Sequence, residues 1–364
     1  MLETATLLRA TAANHRAWFR RGAAMAGGGV ERLDGLEVIV ANGGGTIAFP
    51  HVRARAREAL DAAVRLGLPS MTCWSIAEDR GLGTLLVARG FEWGWQPHWM
   101  ALDLARLPDE EPAHSVVPAR GEAPRDLPYA CARPDPPAVR HLAVIERGRT
   151  VGHVVVNPWR GYAGIYDMGV VPDRRRRGIG RALTIAACRL GRELGCAYAV
   201  LNATGEGEPL YRAVGFQSLG LGRTWWLHPG PRPTPRQTAL AEAIGFANLD
   251  ELTALRPTPE ELEQELPGGG PPLAVAVVTG QAPVADWILR RRPDLVSRPI
   301  EPRGGTLLHV AVEWNDEQLV DVALAHGADR RARDQTWNAT PLEWAEHLNR
   351  PRLAARLRGS APRA

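Results

Sequence analysis

The sequence predicts an α/β (α+β) protein made of two related halves, followed by an all-α segment of short repeats. Apolar strands alternate with amphipathic helices over the first 228 residues, which predicts a mixed central sheet flanked by helices. The halves share a segment, because residues 85–91 (LLVARGF) mirror residues 210–216 (LYRAVGF). Beyond residue 238 an alanine that ends an apolar pattern recurs at 243, 276, 311 and 345, a period of 33 to 35 residues.

In the first half the sequence predicts helices and strands that end in a hairpin. The helices are predicted over residues 3–21, 52–66 and 82–89, where apolar side chains recur at three- and four-residue spacing. The strands are predicted over residues 36–41, 46–49 and 71–76, and residues 93–104 are predicted to form one or two strands of a hairpin.

The second half repeats this order after a proline-rich, charged segment, residues 107–124, that reads as a linker. The predicted strands cover residues 141–146, 150–156, 165–171, 197–203 and 219–227. One predicted helix runs to about Leu194, and a shorter one over residues 209–214 is closed by Gly215. A second proline-rich linker, residues 229–237, precedes the repeats.

Composition limits the class of protein. A chain of 364 residues with 45% hydrophobic and 23% charged residues is typical of a multidomain globular protein, and a net charge of +4 requires no nucleic-acid partner. We find no apolar run of about 18 residues and no signal peptide, and therefore expect a cytoplasmic protein without a membrane partner. Cys73, Cys131, Cys188 and Cys196 lack C-x-x-C spacing, which favours buried thiols over a metal site or disulfides.

The predicted strand over residues 165–171 leads into a turn rich in arginine and glycine, residues 174–181. Gly178 and Gly180 leave no side chain over the first turn of the following helix. Free backbone N–H groups there can point at a bound anion, and the helix dipole adds to the attraction. A solvated basic turn at a helix start is the alternative for this segment taken alone.

Four motifs in order make the second half resemble the GCN5-related N-acetyltransferase (GNAT) superfamily. They are Val170-x-Pro172 at the end of a strand, Arg175-x-x-Gly178-x-Gly180, Leu201-Asn202, and Tyr211-x-x-x-Gly215-Phe216. The first half lacks the glycines in the matching stretch, residues 51–57, and has Leu86 in place of the tyrosine. The resemblance thus implies tandem GNAT folds: a degenerate domain over 1–106, the linker 107–124, and a catalytic domain over 125–228.

The resemblance also implies that two central strands splay apart and that acetyl-coenzyme A, the cosubstrate, lies in the gap. The backbone of Met168, Gly169 and Val170 would bind the acetyl carbonyl and the pantetheine arm, and Asn202 would bind the arm or a water. The pyrophosphate would be cradled by Arg175, Arg176, Arg177, Gly178, Ile179, Gly180 and Arg181. The family usually has a glycine at position 176, where an arginine side chain is expected to crowd the phosphate.

For catalysis the resemblance implies an acid that protonates the leaving thiolate and a base that deprotonates the amine. Tyr211 is the predicted acid, with packing on the cofactor arm as its alternative role. Asp167 is the predicted base, acting through a water, although a purely structural strand-edge carboxylate is an equal alternative. His153 is a second candidate for the base.

The sequence gives less information about the acceptor of the acetyl group. The second half has no room for its own first helices between Arg125 and Arg140, so we expect the first half to close the acceptor groove. Its predicted lining is aromatic, and aromatic packing between the halves is the alternative. The candidates are Trp93, Trp95, Trp99, Trp159 and Tyr162, with Trp225 and Trp226.

Residues 238–364 are predicted to form an all-α ankyrin-repeat solenoid, because the repeats begin with patterns such as Thr306-Leu-Leu-His-Val-Ala and resemble that family. Three functions follow from these features. The first is an N-acetyltransferase acting on a small-molecule amine such as an antibiotic or toxic metabolite. The second is a protein N-acetyltransferase that recruits its target through the repeats, and the third is a non-catalytic acetyl-coenzyme A sensor. None of them requires a metal or a nucleic acid.

Overall fold

The computed structural model describes residues 2–50, 55–77, 79–119, 139–268, 270–300 and 304–359. The following predicted features lie outside the described residues: the start of the helix predicted from Val52, the end of the 107–124 linker, Cys131, and the stretch from Arg125 to residue 138. The chain separates into two compact units. Unit 1 comprises Met1–His51, Met71–Glu78 and Gly94–Thr224, and unit 2 comprises Val52–Ser70, Asp79–Trp93 and Trp225–Ala364. The units alternate along the chain, whereas the predicted domains are continuous segments, and those domain boundaries stay a prediction.

The described residues form the following elements. The strands are β1 (Gly29–Leu33), β2 (Leu36–Ala41), β3 (Gly44–Ala48), β4 (Ser70–Ser75), β5 (Glu92–Trp93), β6 (His98–Asp103), β7 (Val117–Pro118), β8 (Arg140–Glu146), β9 (Arg149–Trp159), β10 (Tyr162–Val170), β11 (Tyr198–Ala203), β12 (Gln217–Leu221) and β13 (Arg223–Leu227). The helices are α1 (Thr4–Met25), α2 (Ala56–Arg65), α3 (Arg80–Val87), α4 (Ile179–Glu193), α5 (Glu208–Val214), α6 (Pro235–Gly245), α7 (Leu249–Leu255), α8 (Pro272–Val278), α9 (Ala282–Arg291), α10 (Leu307–Glu313), α11 (Glu317–Ala325), α12 (Pro341–His347) and α13 (Pro351–Arg358).

Unit 1 is built on a seven-stranded mixed sheet with the order β12-β6-β11-β10-β9-β8-β7. The central strands β10 and β11 run parallel, and the neighbouring pairs are antiparallel. Central strand β9 is buried on both faces, as its run of valines over residues 154–156 favours. One face packs on α4 in the core around Leu183, and the other packs on α1 in a core around Trp99. The predicted mixed sheet with flanking helices is thus confirmed.

Helix α1 covers the sheet face opposite α4. Its buried residues include Leu7, Thr11, Asn14 and His15, which recur at three- and four-residue spacing. It contacts β9 and β10 of the sheet as well as β2. The helix predicted over residues 3–21 is therefore confirmed, and it runs to Met25.

Two strand predictions were wrong. The segment 93–104 is not a hairpin, because β6 pairs with β11 and β12 whereas β5 pairs with β13. Residues 219–227 are not one strand either, since the chain turns at Gly222 between β12 and β13. A Cβ at Gly222 would lie 2.2 Å from the carbonyl oxygen of Ser75, so only glycine permits this close approach. Alternating apolar residues predict a strand but not which sheet it joins.

Unit 2 contains α2, α3, the β5–β13 pair and the helices from α6 to α13. The side chain of Arg89, which is buried, binds Asp61 at 2.7 Å and Glu242 at 3.1 Å and so ties α2 and α6 to the end of α3. From α8 onward short helices pair in sequence order, α8 with α9, α10 with α11 and α12 with α13. The ankyrin-repeat solenoid stays a prediction.

Three of the four cysteines, Cys73, Cys188 and Cys196, are buried free thiols, as predicted. Within the described part of the chain, no helix combines the length and the apolar character that crossing a bilayer requires.

Candidate active site

The two parallel strands at the centre of the unit 1 sheet part from one another. Their pairing comprises Tyr162 with Tyr198, Ala163 with Ala199, and Gly164 with Val200. Beyond Gly164, β10 continues to Val170 and β11 to Ala203 without further partner pairs between them. The sheet therefore has a gap at the carboxyl end of its two parallel strands, where ligands bind in open α/β sheets.

A β-bulge lies on β10 beside this gap. Tyr166 is paired with Val155 and Gly169 with His153, so that Asp167 and Met168 together face the single residue between those partners on β9. Asp167 takes a φ of +46°, the left-handed region that a residue with a side chain rarely adopts. Bulges leave a residue outside the ladder and re-aim its groups, which suits strands next to active sites.

The Arg-Gly turn continues from β10 to the start of α4. Arg175, Arg176, Arg177 and Gly178 are all exposed. Gly178 is the N-cap of α4 with a φ of +84°, and a Cβ there would meet only His114, at 3.7 Å. Space is therefore open beside the N-cap of α4, as an anion site requires, whereas a Cβ at Gly180 would lie 3.1 Å from Leu210. Arg176 has a φ of +62°, in the left-handed region that glycine adopts most readily.

The side chain of Arg181 makes its hydrogen bonds within the protein. Its guanidinium donates to both carboxylate oxygens of Glu110, at 2.7 and 3.0 Å, and to the carbonyl of Ala213 at 3.2 Å. The His114 Nε2 lies 2.7 Å from the carbonyl oxygen of Arg177. The segment over residues 110–114 therefore lies along the N-terminal end of α4, and the positive charge of Arg181 is compensated within the chain. If Arg181 contributes to anion binding, it does so through its backbone N–H group.

Tyr211 reaches the bulge from α5. Its hydroxyl oxygen lies 3.8 Å from the Met168 Sδ, and the Thr184 hydroxyl on α4 lies 3.6 Å from the same sulfur. The ring packs edge-on against Phe216 with centroids 5.7 Å apart. Burial raises the pKa of Tyr211 well above its usual range, so the hydroxyl keeps its proton at neutral pH. The structure thus brings the predicted acid next to the strand predicted to hold the acetyl group.

The other predicted polar residues lie around the same gap. Asp167 is half-buried in the bulge, and Asn202 is half-buried on the facing stretch of β11. His153, the second candidate base, is buried on β9 opposite Gly169, with its ring 6.5 Å from that of His141. The geometry leaves Asp167 as the more accessible of the two candidates for the base.

The structure places the residues predicted to form the aromatic lining in four separate positions. Trp95 and Trp99 belong to unit 1 and flank Trp74, with ring centroids 5.8 and 6.5 Å from it. Trp159 lies at the end of β9 under the guanidinium of Arg21. Tyr162 stacks on Tyr198 where β10 and β11 are still paired. Trp93 lies in unit 2, where it pairs in register with Trp225 and both are buried, and Trp226 pairs with Glu92.

Asn14, a polar residue of α1 that no sequence motif indicated, fixes β10. Asn14 is fully buried; its Oδ1 accepts from the Tyr166 hydroxyl at 2.8 Å and from the Asn157 Nδ2 at 3.1 Å. Its Nδ2 donates to the carbonyls of Asn157 and Tyr162, at 3.2 and 3.0 Å. A Cβ at Gly164 would lie 2.1 Å from the Asn14 Oδ1, so the glycine permits this approach. An asparagine on the apolar face of a predicted helix and a glycine immediately before the strand predicted over residues 165–171 were the signals in the sequence.

We expect Asn14→Ala to lower the free energy of unfolding by about 2–4 kcal/mol, because several buried polar groups on β9 and β10 lose their partner. Tyr166→Phe, which removes a single hydrogen bond of the same network, is the matched variant, with an expected loss of about 1 kcal/mol. Urea denaturation followed by tryptophan fluorescence measures both. Equal losses in the two variants would show that Asn14 is not the centre of the network.

A mixed sheet whose parallel central strands part beside a glycine-capped helix is the arrangement that the resemblance to the GNAT superfamily implies. In agreement, residues 104–216 match the model of the "Acetyltransferase (GNAT) family". The chain therefore carries a GNAT acetyltransferase domain, as its motifs predicted. The match begins at residue 104, just before the predicted linker, and includes the bulge, the turn and Tyr211.

Several individual proteins are similar to this chain. A glucosamine 6-phosphate N-acetyltransferase from Trypanosoma brucei brucei is 32% identical over 71 residues, which are 20% of this chain and 41% of the relative. The chain thus spans less than half the length of this curated relative. A GCN5-related N-acetyltransferase from Kribbella flavida is 18% identical with a TM-score of 0.48, covering 60% of this chain and 96% of its own. A tandem GNAT protein from the clavulanic acid biosynthesis pathway is 16% identical with a TM-score of 0.38, covering 54% and 79%.

Proposed function

We propose that this protein is an acetyl-coenzyme A-dependent N-acetyltransferase that transfers the acetyl group to an amine of a small molecule by direct attack. The observation that carries the proposal is the position of the Tyr211 hydroxyl, 3.8 Å from the Met168 Sδ in the bulge of β10. It supports the proposal because a hydroxyl group that can donate a proton lies beside the strand that borders the gap. The N-cap of α4, with open space beside it, follows one short turn further along the chain.

The residues at the gap fit acetyl-coenzyme A. The exposed turn from Arg175 to Gly178 leaves space for a pyrophosphate at the N-terminus of α4, where backbone N–H groups and the helix dipole attract it. Because β10 has no β11 partners beyond Gly164, the backbone of Met168 and Gly169 on that side is available to bind the acetyl carbonyl and the pantetheine arm. Asn202 lies across the gap on β11 and would bind the arm. The cosubstrate supplies an acetyl group activated as a thioester.

The chain supplies the proton transfers. The amine nitrogen forms a bond to the acetyl carbon while the carbon–sulfur bond breaks, and the electron pair of that bond leaves with the sulfur. Tyr211 gives its proton to the sulfur, and Asp167 takes the proton of the amine through a water. A backbone N–H donor of the bulge stabilises the negative charge on the carbonyl oxygen during attack.

We also propose a division of the chain into domains. The first half is proposed to be a degenerate copy that supplies α1 as a wall of the site, since α1 contacts β9 and β10 and the Asn14 side chain of α1 accepts a hydrogen bond from Tyr166.

The C-terminal helix pairs are proposed to be ankyrin-like repeats. In support, Thr306 and Thr340 each cap a helix through a capping box. In addition, the His309 Nε2 on α10 lies 3.0 Å from the carbonyl oxygen of Ala339, just before α12 of the next helix pair.

The full chain tests the function, because both units contain segments from the two predicted halves and a deletion after residue 230 would remove most of unit 2. We expect the protein to release free thiol from acetyl-coenzyme A in the presence of a small amine and to add the mass of one acetyl group to that amine. Binding of coenzyme A without turnover of any amine would contradict the proposal and favour the sensor. Acetylation of protein lysines alone would favour the protein acetyltransferase.

A further inference from the structure

Residues 107–118, which fall within the predicted linker, are held against α4 and the sheet of unit 1; we call them the strap. At one end Leu107 is buried in the core between α4 and the sheet, and at the other end Val116 packs on the same core and β7 pairs with β8. Between these ends the backbone carbonyl of Glu110 accepts a hydrogen bond from the Arg189 guanidinium at 2.6 Å. The strap is therefore fixed at both ends and in its middle.

The strap places an imidazole beside the Arg-Gly turn. The His114 Nε2 lies 2.7 Å from the carbonyl oxygen of Arg177, and a Cβ at Gly178 would lie 3.7 Å from the same nitrogen. Because a carbonyl oxygen can only accept a hydrogen bond, the Nε2 carries the hydrogen and donates it. The peptide unit between Arg177 and Gly178 is thus held on its carbonyl side by a side chain from outside the turn.

The acidic side chains of the strap are compensated by arginines of α4. Glu110 accepts from Arg181 through both carboxylate oxygens, and Glu111 lies 3.5 Å from the guanidinium of Arg189. The hydrogen bonds from Arg181 lower the pKa of Glu110, so its carboxylate stays ionised and paired at neutral pH. The strap can therefore lie beside an anion site, and the group that it presents to the turn is the imidazole of His114.

The turn requires such a contact because its backbone is able to rotate. Gly178 has a φ of +84°, and glycine adopts φ values of either sign about equally well. The peptide unit between Arg177 and Gly178 can therefore turn over, so that its N–H and its C=O exchange sides. Among the described residues, no backbone carbonyl accepts a hydrogen bond from the Gly178 N–H. The bond from His114 to the Arg177 carbonyl is the contact that opposes this rotation.

Resting on the acetyl transfer proposed above, we propose that His114 is a positioning residue for the pyrophosphate of acetyl-coenzyme A. The N–H and C=O of a trans peptide point in opposite directions, so the bond that holds the Arg177 carbonyl on the strap turns the Gly178 N–H away from it, toward the anion at the N-terminus of α4. In the rotated peptide the carbonyl oxygen would face the anion and repel it. Because the strap is anchored independently, this order exists before the cosubstrate binds, and no binding energy is spent on orienting the peptide.

Isothermal titration calorimetry of the full chain with coenzyme A tests the proposal. We expect His114→Ala to lower the affinity by about fivefold to tenfold, the equivalent of one hydrogen bond. His114→Gln keeps an N–H donor at a similar reach and should bind within about twofold of the wild type. Ser115→Ala, at the exposed neighbouring position of the strap, is the matched control and should change nothing.

A shorter ligand separates positioning of the pyrophosphate from a general loosening of the site. Pantetheine carries the thiol arm of coenzyme A without the pyrophosphate, so its affinity should be the same in His114→Ala and in the wild type. An equal loss for both ligands, or a loss that His114→Gln does not restore, would leave His114 a structural role only and overturn the proposal.

The same titrations distinguish this proposal from the transfer reaction on which it rests. Unchanged affinity of His114→Ala for coenzyme A would overturn the role of His114 and leave the acetyltransferase intact. If the wild-type chain does not bind coenzyme A, the transfer reaction fails and the role of His114 fails with it.

Discussion

Gly178→Glu should lower the affinity for coenzyme A by about a thousandfold. The substitution places a carboxylate at the N-cap of α4, against the proposed pyrophosphate position. Two unit charges about 4 Å apart near a protein surface repel by about 4 kcal/mol, which corresponds to that factor. Isothermal titration calorimetry with coenzyme A measures the change directly and needs no acceptor amine.

Gly195→Glu is the control for backbone strain. Gly195 follows the other end of α4, has a φ of +79° and, like Gly178, has open space in front of it. Each variant forces a side chain into the left-handed region, which costs about 1–2 kcal/mol of stability, so the two melting temperatures should fall together. Only Gly178→Glu should lose coenzyme A binding. Equal affinities in the two variants would remove the turn from the cofactor site.

Tyr211→Phe should lower kcat by about a hundredfold or more while the affinity for coenzyme A stays unchanged. The ring keeps its packing on Phe216, and only the hydroxyl beside Met168 is lost. General acid catalysis contributes about 10²–10⁴ in rate, so its removal appears in kcat rather than in binding. Since burial raises the pKa of Tyr211, the wild-type acid stays protonated past the usual tyrosine pKa of about 10. We therefore expect kcat to show no loss from this group as the pH rises to that value.

The matched variant is Tyr198→Phe on β11. Its hydroxyl accepts a hydrogen bond from the backbone N–H of Leu2 at 3.3 Å, at the end of the strand that is still paired with β10. Its kcat should equal that of the wild type. Full activity of Tyr211→Phe would assign protonation of the thiolate to another donor.

The motifs of the second half were readable because they are local. A strand, the Arg-Gly turn, α4 and the helix with Tyr211 each depend on residues close in sequence, and their order alone indicated the acetyltransferase domain that residues 104–216 match. The period-2 and period-3.6 patterns likewise predicted the helix from Thr4 and the strand from Leu36 to Ala41. Such patterns report which residues are buried on one element.

The contacts between residues that are distant in sequence could not be predicted in the same way. The β-bulge at Asp167 and Met168 is a difference of register between β9 and β10, and neither strand carries a sequence signal for it. The strands predicted over residues 93–104 and 219–227 were misassigned for the same reason, because an apolar strand pairs equally well with several edges. The hydrogen bonds between Arg181 and Glu110 could not be predicted from the sequence either, because 71 residues separate the two.

The sequence by itself indicated the acetyltransferase domain, the turn proposed to bind an anion and the candidate acid, because each is a short motif whose chemistry resides in neighbouring residues. Only the tertiary structure decided what faces the other side of the gap. There, α1 brings Asn14 and His15 against strands that follow more than a hundred residues later. Packing across that distance depends on shape and on the burial of polar groups, which no local pattern of residues encodes.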